Sequence, residues 1–258
     1  MFTKENIQFE SEILIVGDES TKDAIKSKLI CLVNQMVEQL KLNSLKGIII
    51  KPQVLFDSNM GTAYADKTIK LSFAIASILA NGLECGHSPK YMDALATLYH
   101  EGYHISDHQQ VGRKLGCLSP AASIGYCVWT EFFAVYATQC ICEQDHQYTS
   151  FEHVFSEHPK DDKMCRYYAS HIMGYYLHNG HSPQCDQLIN QFLNIKYIEP
   201  TKHHLQEMLE RYPNISADDL ISLKELFDKL LCNEIDLSNA KELSQEDLIS
   251  WIRNKSHS

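Results

Sequence analysis

His100-Glu101-Gly102-Tyr103-His104 sets two histidines four residues apart, with a glutamate directly after the first. On an α-helix, residues i and i+4 stack on one face, so both imidazoles can reach one ion. Glu101 then stands about a third of a turn away, beside the ion rather than on it, where a carboxylate can take a proton from water. The pattern marks His100 and His104 as candidate metal ligands and Glu101 as a candidate general base.

Glu131 is the candidate third ligand. It is the only charged residue between Leu115 and Cys142, inside Tyr126-Cys-Val-Trp-Thr-Glu-Phe-Phe-Ala-Val-Tyr136, whose apolar neighbours predict burial. A buried carboxylate is costly unless it is paired, metal-bound or protonated. No Lys or Arg lies within one turn of it. A zinc ion meets that need, because two His and one Glu leave a fourth tetrahedral position open for water. The alternative is a carboxylate paired with a distant Arg or capped by hydroxyls. Asp107 and His108 are rival ligands. Ile105-Ser-Asp-His-Gln-Gln110 holds no Gly to turn the chain sharply after His104, so both read better as groups that orient a ligand. Tyr168, His171 and Tyr175 recur at helical spacing, and His171 is the candidate donor to the oxyanion that develops when water attacks a peptide carbonyl. The same stripe also reads as an aromatic packing face.

The elements that must position these residues change character along the chain. Glu12-Ile-Leu-Ile-Val-Gly17 reads as a strand. Ile25, Leu29, Leu32, Met36 and Leu40 predict a helix after the cap-like Ser20 and Thr21. Residues 47–56 read as a strand, and 62–65 with 68–72 as a hairpin turning at Asp66-Lys67. From Phe73 onward the signals are helical. Ser88-Pro89 predicts a helix that runs to about His108, and apolar spacing predicts others over 122–143, 161–178 and 184–195. Ser216…Asp219 and Ser244…Asp247 each form a Ser-x-x-Asp cap signal. The expected fold is α+β: a small mixed sheet, an active helix across it and a mostly helical C-terminal half. Residues 1–195 are expected to form the catalytic domain and 196–258 a helical appendage.

At these residues the chain resembles a known family. His-Glu-x-x-His followed on the next helix by Glu131-Phe-Phe-Ala134 is similar to the ImmA/IrrE-type zinc peptidases of the gluzincin-like group, over roughly residues 45–145. Val135 stands where that family usually carries Asn. The resemblance implies a zincin-like fold, zinc on His100, His104 and Glu131, Glu101 as base, and cleavage of a regulatory protein.

Composition narrows the alternatives. A net charge of −10 and a pI near 5.7 oppose a nucleic-acid or anionic-membrane surface. The apolar stretch over 123–142 is punctuated by Ser, Gly, Thr, Gln and Glu, and reads as a buried helix rather than a membrane span. Nine cysteines without a Cys-x-x-Cys pair, and an N-terminus with no apolar signal segment, predict reduced thiols in the cytoplasm, most of them core residues. Two other readings stay open. Glu101-x-x-His104 and Glu143-x-x-His146 give the two Glu-x-x-His motifs of a carboxylate-bridged di-metal bundle, although the early strands fit a bundle poorly and His100 is left unused. A zincin-shaped interaction module without activity is the other.

Overall fold

The computed structural model describes residues 2–10, 19–52, 61–63, 67–85, 88–142 and 162–231. The strand expected over 12–17, the second Glu-x-x-His at 143–146 and the cap signal at 244–247 lie outside them. The described chain is mixed α+β and mostly helical.

Strands β1 (Ile7–Phe9), β2 (Gly47–Lys51), β3 (Gly61–Ala63) and β4 (Thr68–Ser72) form one sheet in the order β1-β2-β4-β3. The first two and β4 run parallel, and α1 (Glu19–Gln39) makes the crossover that parallel neighbours require. The expected hairpin is β3 against β4, with Thr62 opposite Lys70, and Lys67 takes a left-handed φ of 73° just before β4. Ile48, Ile50, Ile69 and Leu71 alternate along β2 and β4 and are all fully buried. They join Leu29, Val33 and Met36 of α1 and Ile75 and Leu79 of α2 (Phe73–Cys85) in a first core. The expected α1 stripe is buried throughout, but the helix begins at Glu19, so Ser20 and Thr21 lie in its first turn rather than capping it.

Ser-Pro opens three of the later helices. These are α3 (Pro89–Asp107), α4 (Pro120–Cys142) and, after α5 (Asp162–Asn179), α6 (Pro183–Phe192). The hydroxyls of Ser88, Ser119 and Ser182 accept from the amides of Tyr91, Ala122 and Cys185 at 3.2, 3.3 and 3.2 Å. Each bond satisfies an orphan first-turn donor, while proline pre-sets φ at the first helical position. Past Asp107, α3 widens into a π turn at His108–Gly112 and closes in one further turn, Arg113–Leu115.

A second core gathers α4, α5, α6, α7 (Ile198–Arg211) and α8 (Ala217–Leu231) around Trp129, Phe132, Met173, Leu205 and Phe227. The described part of the expected appendage thus buries its apolar faces in the same core as Glu131's helix. At Gly125 a Cβ would lie 1.9 Å from the Leu220 carbonyl oxygen, so the absent side chain is what lets α8 approach α4. The α4 and α5 helices run parallel: Val135 packs on Gly174, and one turn on Cys140 Sγ lies 3.6 Å from His178 Nδ1. Tyr103 packs against both cores, which places α3 between them.

The cysteines depart from expectation. Only Cys185 is buried among the described ones, while Cys31, Cys117, Cys127 and Cys140 are exposed. Cys31, Cys127 and Cys140 sit on helices that bury other faces, and Cys117 lies in the connection ahead of Pro120. Among the described residues no helix is long and apolar enough to cross a membrane.

The cap at Ser216 is present: its hydroxyl accepts from Asp219 N at 3.2 Å, and its own amide donates to Asp219 Oδ2 at 2.9 Å. Arg211 grips the same carboxylate at 2.8 and 3.0 Å. Burial raises the Asp219 pKa, but Arg211 and Ser216 outweigh it and hold the group below its ordinary value. A folded-state pKa below the unfolded value of about 3.9 adds stability above that pH, which is lost as acid carries the solution through the folded value. Asp219→Ala is expected to cost about 1 kcal/mol at neutral pH, with the gap to the parent closing in acid. Denaturant melts of both proteins across the acid range check this, and a gap independent of pH would exclude the ionised carboxylate as its source.

Candidate metal centre

The metal-ligand pattern is assembled by α3 and α4. Stacked on one face of α3, the His100 and His104 rings meet edge to face with centroids 4.7 Å apart, and their Nε2 atoms are 3.1 Å apart. That is close enough to share a proton or an ion. Glu131 on α4 brings Oε2 to 3.6 Å from each of the two Nε2 atoms. This oxygen is buried and has no hydrogen-bond partner. Around a tetrahedral zinc with bonds of about 2.0–2.2 Å, ligand atoms sit roughly 3.3–3.6 Å from one another. The three separations bracket that range, and His100, His104 and Glu131 are the group among the described residues that can hold a metal ion. Glu131 is less enclosed than its neighbours in sequence imply. About 27% of its side chain is exposed, against 16% for His100 and 14% for His104, so the site opens to solvent.

The site's charge calls for a cation. Burial opposes protonation of His104, yet Glu131, followed by Glu101 and Asp107, outweighs it and raises His104 to about 9. Burial likewise opposes ionisation of Glu131, but His104, His100 and His171 hold its carboxyl well below the usual carboxylate range. A proton on His104 or a divalent ion can supply the positive charge these carboxylates require. Glu101, one residue past His100, is buried, with 6% exposure.

His171 is brought to the same place from α5. Its Nε2 lies 3.6 Å from Glu131 Oε2, its ring centroid is 5.6 Å from that of His100, and both ring nitrogens are buried without hydrogen bonds. Burial lowers its pKa, with Glu131 pulling the other way. The close contact responsible is Gly174: a Cβ there would stand 2.8 Å from Val135, so this glycine lets α5 settle against α4 one turn beyond the Glu131–His171 pair. Of the other residues on that stripe, Tyr168 packs toward Phe192 and Tyr175 is buried.

The rival ligands lie outside the group. Asp107 stays on the helix, fully buried, and accepts from Trp129 Nε1 at 3.0 Å. Burial raises its pKa, while Trp129, Tyr126 and Thr130 pull against the shift. His108 opens the π turn, and burial followed by Arg113 lowers its pKa. The group that bonds His104 is Thr130, whose Oγ1 lies 3.1 Å from Nδ1. Thr130 had no signal of its own in the sequence beyond adjacency to Glu131. No family model, curated protein or solved structure matches the chain, and what the centre does is argued from its geometry.

Proposed function

We propose that the chain is a zincin-like zinc peptidase, similar in plan to the ImmA/IrrE type, that hydrolyses peptide bonds of a protein substrate in a reducing, cytoplasmic setting. The observation that carries this reading is the triangle of His100 Nε2, His104 Nε2 and Glu131 Oε2, with edges of 3.1, 3.6 and 3.6 Å. These residues fit zinc by donor type and spacing, and the buried, unbonded Oε2 fits a cation. A bound zinc ion supplies a Lewis acid that polarises the peptide carbonyl and acidifies water. Glu101 takes the proton from the attacking water and delivers it to the leaving amine. His171 donates from Nε2 to the carbonyl oxygen as charge develops there. Glu131 offsets the ion's charge, and the surrounding burial keeps these interactions in a low dielectric, where they are strong.

Purified protein is expected to contain equimolar zinc and to cleave an unfolded protein such as casein, with cleavage stopped by a chelator and restored by zinc. Two irons per chain with an oxygen-sensitive optical band would transfer the assignment to the di-metal reading.

A further inference from the structure

Trp129, Thr130 and Glu131 are consecutive on α4, and each meets α3: Trp129 at Asp107, Thr130 at His104, Glu131 at both histidines. We infer that Thr130 is a positioning residue that fixes the ring and tautomer of His104 for the metal, an inference that rests on the metal-site reading above.

The case follows from counting protons. For His104 Nε2 to offer its lone pair to a cation, the ring proton must sit on Nδ1. Nδ1 then donates to Thr130 Oγ1 across the 3.1 Å contact, and the hydroxyl oxygen is an acceptor there. The opposite tautomer, with the proton on Nε2, leaves no lone pair there for a cation and asks Nδ1 to accept from the hydroxyl instead. Outer partners of this kind raise the basicity of a metal-binding imidazole and hold its plane.

The test is zinc affinity by competition with a chromophoric chelator on the full-length protein. Thr130→Val, equal in shape but without the hydroxyl, is expected to weaken binding about 10–100-fold, whereas Thr130→Ser keeps the parent value. In the zinc-loaded protein, the His104 Nδ1 proton should exchange slowly with solvent in the parent and the Ser variant, and fast in the Val variant. His100→Ala serves as the control for the site itself. If His100→Ala binds zinc as tightly as the parent, the metal-site reading fails. If His100→Ala loses zinc while Thr130→Val keeps parent affinity, the positioning role of Thr130 alone is wrong. Equal losses in the Ser and Val variants would also overturn it, by revealing a packing effect.

Discussion

Glu131→Ala will weaken zinc binding by about a thousandfold or more, well beyond the roughly 10–100-fold that loss of an outer hydrogen-bond partner costs. The expectation comes from one atom. Oε2 faces Nε2 atoms of His100, His104 and His171 at 3.6 Å each and has no hydrogen-bond partner among the described residues. Removing it leaves two histidines, too few to close a zinc site, and deletes the charge that offsets the ion. Glu131→Gln should fall between, because a neutral amide is a poorer zinc ligand. Asp107→Ala and His108→Ala, which sit outside the triangle, should cost far less. Zinc titrations and thermal melts on the same variants separate ligation from folding. Unchanged affinity with a lowered midpoint would show that Glu131 serves the fold and not the ion.

Glu101→Gln should lower the rate of peptide hydrolysis by about 10²–10⁴-fold, the usual contribution of a positioned base. Zinc content should be unaffected. The amide keeps the size of the side chain but cannot accept the water's proton, and Glu101 is not one of the three clustered ligands. Its neighbours on α3 point to different duties: His100 and His104 to the ion, and Gly102 to α1, where a Cβ would press on Met36 at 2.7 Å. Cleavage at the parent's rate by zinc-loaded Glu101→Gln would overturn the assigned mechanism.

Much of this architecture was legible where one residue type has one physical meaning. Ser88-Pro89 announced a helix start, and two further Ser-Pro pairs do the same work at α4 and α6. Glu131 stood out because a lone carboxylate among aromatics needs a partner. The hairpin followed from alternation. Other features had no local code. The β1 strand is three residues long, too short for a period, and exists through pairing with β2 about forty residues later. The π turn after Asp107 ends at Gly112, where a Cβ would stand 2.7 Å from the Tyr126 hydroxyl, an approach that no local period announces. Thr130 gained its role only once α4 was laid against α3 with its hydroxyl at His104, a matter of helix rotation that periodicity leaves open. The exposure of Cys31, Cys127 and Cys140 likewise reflects which helical face the two cores claim.

Because α3 is wedged between a sheet-based core and a helical one, its histidines report on both at once. Loss of either layer removes one wall of the wedge, and with it the register that sets His100 and His104 against Glu131. The donor triangle is therefore a property of the finished molecule rather than of any segment. Linkage makes the relation mutual: an ion present at about a thousand times its dissociation constant would add roughly 4 kcal/mol to the native state, a gain shared by the two hydrophobic layers that α3 joins. A nascent or half-opened chain therefore lacks the assembled donor set, which exists only once the last layer has closed.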